Sequence, residues 1–543
     1  MPPRITLPPS RAALAAIAAL FILPGLAGHD LWKSQDAIGL GIVHGMAVSG
    51  DLIVPRIAGN RWLYDQPLYH WVALAFGRLL GPFIEFHAAA RLASGVFVGA
   101  AFMLIYRAAR RWSDPELSRT TACGAFLVLL GCIGLLVHTH EALPELAALT
   151  AMCGALGALP FAARAPAGAG AAFGLALGLA FLAGGWMAPL ALAAAVVLAH
   201  FACAEWRTRR GVVFIAIAAL VAVLVALTWP LALAARSPDA FAEWRTIVTQ
   251  GEGTVAANFR HFFGTASWFT WPAWPLAAWT AWSLRARWRE ARLFVPAVAA
   301  LALIALLILW GPPADENLLP LLAPLSLFAA HGIFSLRRGA SAALDWFGAL
   351  TFAVFAIGVW LGYIAMLTGL PAPMARNFAR IAPGYVTQVH VLAIIFALLL
   401  AAAWVYLVLY TAPSPLRSVT RWAGGMVLLW GTFTALWMPW VDYQKSYRTV
   451  ALQLKSKLPV GAPCLAERNL GVSQSAALDY HGGIRAQPYD VVKPAACPLV
   501  LVQGSPQHEL DAPGGAGLRW RKLADVGRPG DRAERYRLYR LDR

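Results

Sequence analysis

Apolar residues fill long segments of the chain, and short clusters of arginine separate these segments. The clusters are Arg4 and Arg11; Arg107, Arg110, Arg111 and Arg119; Arg164; Arg207, Arg209 and Arg210; Arg285, Arg287, Arg289 and Arg292; Arg337 and Arg338; and Arg417 and Arg421. A run of about 20 apolar residues crosses a bilayer as a helix, and short cytoplasmic loops are enriched in Lys and Arg. Each adjacent pair of clusters encloses enough apolar sequence for two such helices and a turn. The pattern therefore predicts an all-α polytopic membrane protein.

The same pattern predicts thirteen transmembrane helices. They cover residues 11–28, 87–106, 120–137, 143–162, 169–184, 186–203, 212–233, 271–284, 293–311, 318–335, 346–367, 389–411 and 422–440. An odd number of crossings leaves the two termini on opposite sides, and the basic clusters, which begin with Arg4 and Arg11, place the N terminus in the cytoplasm and the C terminus outside. The first span also has features of a signal peptide, with basic residues before it and small residues at its end. We favour a retained helix, because the next segment needs an anchor beside the membrane.

The composition agrees with this class. The chain is 59% hydrophobic and only 13% charged, with a mean hydropathy of +0.61. Its 44 Lys and Arg exceed its 27 Asp and Glu, but they sit in short clusters between apolar runs. A nucleic-acid surface would instead show a basic stripe with interleaved polar contacts. The positive charge therefore indicates topology, and nucleic acid is excluded as a partner.

Two parts are predicted to lie outside the membrane domain of residues 1–440: the first loop, residues 29–86, and a C-terminal domain, residues 441–543. In the latter the apolar runs shorten, "PLVLVQG" and "RYRLYRL" have strand patterns, and "SQSAALDYH" has a helical one. We expect a small α/β domain there. It contains Cys464 and Cys497, which we expect to form a disulfide in an oxidising compartment, whereas the other four cysteines fall in predicted spans.

The first loop carries two amphipathic segments. Ile38, Ile42 and Met46 recur every four residues, which favours a helix lying along the membrane surface. A second helix is predicted from Pro67, since proline suits the first turn. Asp65, just before it, is interpreted either as a helix cap or as a functional acid.

Residues Gln35 to Gly81 resemble the first periplasmic loop of the GT-C glycosyltransferases related to the lipid A aminoarabinose transferase and the protein O-mannosyltransferases. The matching residues, in order, are Ser49, Gly50, Asp51, Val54, Pro55, Gly59, Tyr64, Asp65, Pro67, Tyr69 and Trp71. The resemblance implies a GT-C fold in the bacterial inner membrane, with the C-terminal domain in the periplasm. It also implies a polyprenyl-phosphate sugar donor, held among membrane lipids, and a lipid, glycan or protein acceptor.

Single-displacement transfer requires a base for the acceptor and positive charge, or a metal, for the departing phosphate. Relatives have an acid and a lysine at the positions that match Gln35 and Gln66. Glutamine neither accepts a proton at neutral pH nor carries charge. Either neighbouring residues replace these groups, or the site binds lipid with little chemistry.

We favour replacement, with Asp36 and Asp65 as the catalytic acids. Positive charge would come from Arg56, Arg61 or Arg91, because arginine binds phosphate well. The substrate-binding set is completed by Gln35, Tyr64, Gln66, Glu141, Glu145 and His261. Asp315 and Glu316 stand where relatives more often carry a basic residue.

The loop "HTHEALPE" places His138 and His140 beside Glu141 and Glu145, at spacings that suit a divalent metal ion. The alternative is that both histidines are ordinary hydrogen-bonded loop residues. Two other functions remain open: a transporter or flippase of lipid-linked sugars, and a non-catalytic scaffold. Transporters show internal repeats and polar residues at the membrane midplane, whereas the polar candidates here lie at the outer ends of the spans, which favours the enzyme.

Overall fold

The computed structural model describes residues 5–250, 253–459, 461, 464–490, 496–505, 513 and 518–542, and these are mostly helical. The helices are α1 Arg11–Ile22, α2 Gln35–Ser49, α3 Leu68–Leu80, α4 Phe86–Arg111, α5 Ser118–Gly131, α6 Ile133–His138, α7 Pro144–Ala158, α8 Pro166–Gly184, α9 Met187–Ala202, α10 Arg209–Ala226 and α11 Thr228–Arg236. They continue with α12 Pro238–Gln250, α13 Val255–Phe269, α14 Ala273–Ser283, α15 Ala291–Trp310, α16 Leu322–Gly332, α17 Arg338–Thr368, α18 Ala372–Ile381, α19 Val391–Tyr410, α20 Arg417–Lys445, α21 Arg448–Lys457 and α22 Val472–Gly482. The predicted polytopic all-α membrane fold is confirmed.

Each of the thirteen predicted spans overlaps a helix. Among the described residues, eight helical segments are long and apolar enough to cross a membrane: Phe86–Arg111, Pro144–Phe161, Pro166–Gly184, Arg209–Arg236, Ala291–Trp310, Asp315–Ser335, Arg338–Thr368 and Val391–Tyr410. The span predicted at 120–137 is interrupted at Cys132, whose backbone is extended. There Ile133 donates its N–H to Trp271 O at 3.0 Å instead of continuing the helix. Hydropathy alone does not reveal such a break.

Small residues allow the membrane helices to approach closely. A Cβ added to Gly174 of α8 would lie 2.3 Å from the carbonyl oxygen of Ala218 on α10. Association of helices in lipid depends on such close packing rather than on the hydrophobic effect. The small alanine and glycine side chains of these helices therefore allow them to pack tightly against one another.

The first loop contains α2, a short hairpin and α3. The hairpin pairs β1 Arg56–Ile57 with β2 Asn60–Arg61. As predicted, α3 begins directly after Pro67. The side chain of Asp65 does not cap this helix; it accepts a hydrogen bond from Trp62 Nε1 at 2.8 Å.

The position of α2 differs from the expected surface helix, because α2 is covered on several sides. Ala37, Leu40, Val43 and Met46 are all buried. A Cβ added to Gly41 would lie 2.6 Å from Cβ of Ala476 on α22. The C-terminal segment thus packs directly onto this helix, a contact that the local apolar pattern does not encode.

The C-terminal segment forms a five-stranded mixed sheet. Its strands are β3 Leu465–Arg468, β4 Gln487–Pro488, β5 Leu499–Gly504, β6 Arg519–Val526 and β7 Arg535–Asp542, in the order β4-β3-β5-β7-β6. The β3 strand pairs in parallel with β4 and β5, and α22 connects β3 to β4. A disulfide joins Cys464 and Cys497 beside β3 and β5. The preceding α20 continues past the predicted boundary at 440 and ends at Lys445.

Polar contacts fix the first loop to this segment. Lys33 Nζ lies 2.6 Å from Glu534 Oε1, and Trp32 Nε1 donates to Asp442 Oδ1 at 2.7 Å. Arg448 Nη2 lies 2.5 Å from Asp30 Oδ1. Hydrogen bonds from Lys33, Tyr447 and Tyr536 lower the pKa of Glu534 to about 2, against the raising effect of burial. The C-terminal segment and the end of α20 therefore fix the residues just before α2.

Candidate active site

A cavity of about 490 Å³ lies between the first loop and the ends of several membrane helices. Its walls come from the start of α2, the segment before α3, the start of α7, the α8–α9 turn and the end of α15. The polar side chains that line it are Gln35, Asp65, Gln66, Glu145, Glu316 and Asn317, and the aromatic ones are Trp62, Tyr64, Trp186 and Trp310. Five of the sequence-predicted substrate or catalytic residues thus meet in one cavity: Gln35, Tyr64, Asp65, Gln66 and Glu145.

The loop motif "SGD" connects α2 to the hairpin that precedes the cavity residues Trp62, Tyr64 and Asp65. Gly50 ends α2 in the left-handed conformation, with φ of +72°, which glycine adopts without strain. Asp51 Oδ1 then accepts the N–H groups of Ile53 and Val54 at 3.0 and 3.2 Å. This turn reverses the chain toward the hairpin, and the hairpin leads back to Asp65.

Asp65 has the electrostatic environment of a general base. Burial and the neighbouring Glu316 carboxylate raise its pKa to about 6, although the hydrogen bond from Trp62 opposes the shift. A base whose pKa lies near the working pH is both ionised and able to accept a proton. The side chain lines the cavity, so an acceptor hydroxyl bound there has access to it.

Asp36 occupies a different environment and does not line the cavity. Arg91 holds its carboxylate through Nε at 3.0 Å and Nη2 at 2.8 Å, and the pair is 0% and 1% exposed. The backbone N–H of Ala142 also donates to it, at 3.0 Å. Burial raises the pKa of Asp36, but Arg91 outweighs it and the net shift is downward. The geometry therefore does not fit Asp36 as a free base or Arg91 as a phosphate ligand.

The two remaining arginines of the loop lie outside the cavity lining. Arg56 Nη1 donates to Gly59 O at 3.2 Å and closes the hairpin. Arg61 is exposed and lies 3.7 Å from Glu243 of α12. Its neighbour Trp62 does line the cavity, so Arg61 stands next to the wall. Among the described lining residues there are three carboxylates and neither lysine nor arginine.

The predicted metal ligands do not converge. His138 Nδ1 lies 2.7 Å from Glu141 Oε2. His140 is buried and directs its two nitrogens to the carbonyls of Leu136 and Phe21, at 2.9 and 3.0 Å. His140 is therefore an ordinary hydrogen-bonded loop residue, the alternative that the sequence left open, and both of its ring nitrogens are already engaged. His261 is likewise outside the cavity lining, 3.2 Å from Asp315 Oδ1.

A different group in the described chain has acid and histidine atoms close enough for a metal: Asp30, Glu85 and His87, within 4.8 Å of one another. Arg448 Nη2 donates to both carboxylates, at 2.5 Å to Asp30 and 3.3 Å to Glu85. His87 Nδ1 contacts Tyr480 Oη at 3.0 Å. The Arg448 guanidinium thus already occupies the carboxylate oxygens that a metal would need, and these residues do not fit a metal centre in the present arrangement.

Sequence reasoning missed the contribution of the α8–α9 turn and of α15. Gly185 has φ of +76°, and a Cβ there would lie 3.6 Å from the Gln66 amide. Trp186 and Trp310 meet edge to face, with centroids 6.2 Å apart, on the cavity wall. In the sequence, the pair Gly184 and Gly185 before Trp186 indicates a turn between two helices at this position.

Comparison with known proteins supplies relatives, although no family model matches the chain. The chain is 28% identical over 480 residues to the undecaprenyl phosphate-alpha-4-amino-4-deoxy-L-arabinose arabinosyl transferase of Pseudomonas aeruginosa strain LESB58, covering 84% of this chain and 81% of the relative. It is 30% identical over 347 residues to the transferase of the same name from Pseudomonas paraeruginosa, covering 60% of each chain.

Solved structures share the fold. ArnT from Cupriavidus metallidurans bound to undecaprenyl phosphate superposes with a TM-score of 0.67 and 20% identity, over 97% of both chains. The archaeal oligosaccharyltransferase AglB from Archaeoglobus fulgidus, in complex with an inhibitory peptide and a dolichol-phosphate, has a TM-score of 0.51 and 12% identity. It aligns with 91% of this chain and 68% of its own. By sequence the chain is therefore similar to these arabinosyl transferases over most of its length, and by fold it is a multi-pass membrane protein of the ArnT type.

Proposed function

We propose that this protein is a glycosyltransferase that takes a sugar from a polyprenyl-phosphate donor and transfers it to a lipid, glycan or protein acceptor at the periplasmic face of the inner membrane. The donor class is supported by the relatives, whose names specify undecaprenyl phosphate. The orientation is supported by the arginine clusters, which place the N terminus in the cytoplasm. The disulfide between Cys464 and Cys497 also suits an oxidising compartment such as the periplasm.

We further propose that the sugar of the donor carries a protonated amine. The observation behind it is the charge of the cavity: Asp65, Glu145 and Glu316 line it, and the described lining includes neither lysine nor arginine. An ammonium group between carboxylates gains attraction and hydrogen bonds in a site that is poorly solvated. The relatives' names specify a 4-amino pentose, which has such a group. Trp186 and Trp310 supply apolar surface for the sugar ring.

Asp65 is the base in this mechanism. It takes the proton of the acceptor hydroxyl as the oxygen attacks the anomeric carbon, and the lipid phosphate departs from the opposite side. With a pKa near 6, the carboxyl is largely ionised at pH 7. Asp36 acts as a positioning residue, because its pairing with Arg91 fixes the start of α2, where Gln35 projects into the cavity.

The donor phosphate, in this mechanism, lies at the mouth of the cavity beside Arg61. The described lining is acidic and offers no positive charge to a phosphate in the interior, whereas the Arg61 guanidinium is exposed next to the wall residue Trp62. Arginine can bind two phosphate oxygens at once. We assign no step to a divalent metal, since the described acids and histidine that lie close enough to hold one, Asp30, Glu85 and His87, are outside the cavity lining.

The test is transfer by the purified full chain from matched donors that differ only in an amino or hydroxyl group on the sugar. We expect the amino sugar to be preferred, and Asp65→Asn to lower transfer by about 10²- to 10⁴-fold, the usual contribution of a general base. Asp239→Asn is the control, because it removes an exposed carboxylate of α12 outside the cavity. Equal use of both sugars would contradict the amine assignment. Donor binding without turnover would instead favour a non-catalytic member with Gln35 and Gln66 as the cause.

A further inference from the structure

A second cavity, of about 790 Å³, lies at the other end of the helices that carry the first. Helix α9 begins with Met187 at the sugar cavity and ends with Ala202 at the second cavity. Helix α15 runs the opposite way, from Arg292 at the second cavity to Trp310 at the first. Its 20 residues correspond to about 30 Å, the thickness of the hydrocarbon core. The second cavity therefore opens at the membrane face opposite the sugar cavity.

Five arginines and two glutamates line this second cavity. Both glutamates are already engaged. Glu290 lies 2.5 Å from Arg287 Nε and 2.8 Å from Arg292 Nε. Glu205 accepts the backbone N–H of Ala291 at 2.6 Å and so caps α15. The carboxylates consequently order the walls and leave the other arginines without an acidic partner.

Those other arginines are Arg111, Arg207 and Arg289. Arg111 lies over the Phe161 ring at 5.0 Å, and Arg289 over the Trp288 ring at 5.6 Å. Arg207 donates one N–H to a backbone carbonyl at 2.5 Å. In the described part of the chain, none of the three guanidiniums has a carboxylate within ion-pair distance. Three positive charges thus border one cavity, and their free N–H groups suit phosphate oxygens.

Apolar side chains are exposed beside this basic cavity, as expected for a site that binds a molecule with a charged headgroup and an apolar tail. The last turns of α9, which lead to Ala202, expose Leu198 and Phe201, and Trp112 lies in the cavity wall. Tryptophan beside a basic loop marks the interface between headgroups and acyl chains. We propose that this cavity binds the phosphate headgroup of an anionic membrane phospholipid, whose acyl chains lie along α9. It is separate from the donor-lipid site, which lies at the opposite end of the same helix.

The test is lipid binding by the delipidated full chain in detergent, measured by native mass spectrometry and by melting temperature. The probes are phosphatidylglycerol, phosphatidylcholine and inorganic phosphate. The test variant combines Arg111→Gln, Arg207→Gln and Arg289→Gln. The matched control combines Arg107→Gln, Arg209→Gln and Arg285→Gln, which removes the same charge from the same three arginine clusters but from positions outside the cavity lining.

We expect the wild type to bind phosphatidylglycerol about tenfold or more tightly than phosphatidylcholine, since each basic residue near an anionic surface contributes appreciably. The test variant should lose about tenfold of this affinity, and the control less than about twofold. Equal loss in both variants would overturn the proposal in favour of diffuse positive charge. Stabilisation by inorganic phosphate equal to that by lipid would overturn it in favour of a free-anion site. If the triple variant does not fold, the three single variants decide, and unchanged lipid affinity in all of them would refute the site.

Discussion

The amide of Gln35 donates a hydrogen bond of 2.5 Å to the carboxylate of Glu316 inside the cavity. This contact joins the first turn of α2 to the segment before α16, which lie 281 residues apart in the sequence. In the resemblance described above, relatives carry an acid at the position of Gln35 and more often a basic residue at the position of Glu316. We infer that Gln35 suits Glu316, because an amide beside a carboxylate is favourable where two carboxylates would repel.

Restoring the family acid should therefore harm this enzyme. Gln35→Glu would place a second carboxylate against Glu316, and like charges at this distance hold a proton more tightly. We expect the acidic limb of the pH profile of transfer to move upward by about one unit. Gln35→Met is the control, since it removes the hydrogen bond without adding charge. An improved rate at pH 7 in Gln35→Glu would contradict this inference.

Transfer should fall as the pH drops through the pKa of Asp65. The folded pKa of about 6 is above the ordinary value of 3.8, so the carboxyl is protonated, and inactive as a base, below pH 6. Measured between pH 4.5 and 8, kcat/KM should rise with pH to a plateau, with a midpoint near 6. A midpoint below 5 in a protein that remains folded throughout would remove Asp65 from the base role.

The ionised carboxylate of Asp65 should lower the stability of the folded protein, whereas a carboxylate with a structural role would raise it. Because its folded pKa is raised, the native state loses stability as pH rises from the ordinary value of 3.8 through about 6. Asp65→Asn abolishes this ionisation, so its melting temperature at pH 7 should equal or exceed that of the wild type. A large fall in melting temperature would mean that the carboxylate holds the loop together.

The fold followed from the sequence more closely than the site did. Hydropathy predicts the membrane helices because crossing a bilayer requires a long apolar segment, wherever it later packs. The positions of Tyr64, Asp65 and Gln66 followed from the loop pattern, although their roles stay predictions. Gln35 lines the cavity whereas Asp36 does not, because successive helical residues point about 100° apart; the catalytic role of Asp36 stays a prediction. Its partner Arg91 is 55 residues away, and the sequence contains no sign of that pairing.

Asp36 and Arg91 should behave as a structural pair. Removing one partner leaves the other charge buried and unpaired, which costs about 3–5 kcal/mol. Asp36→Asn should thus lower the melting temperature and the folded yield, and transfer per folded molecule should fall less than in Asp65→Asn. The double variant Asp36→Leu with Arg91→Met should recover stability relative to either single change. Full stability of Asp36→Asn with complete loss of transfer would return Asp36 to the catalytic role.

Arg61 gives the sharpest test of where the donor phosphate lies, since Arg56 is a matched control on the same hairpin. Arg56 donates to Gly59 within the hairpin, whereas Arg61 is exposed beside the cavity wall. Losing a charge-assisted phosphate contact costs about 1.5–3 kcal/mol, so Arg61→Gln should raise the KM for the lipid donor about tenfold or more. Arg56→Gln should change it less than about threefold. Glu243→Gln provides the converse case: it releases Arg61 from its ion pair and should lower KM. If KM stays constant in Arg61→Gln and in Glu243→Gln, the phosphate lies elsewhere.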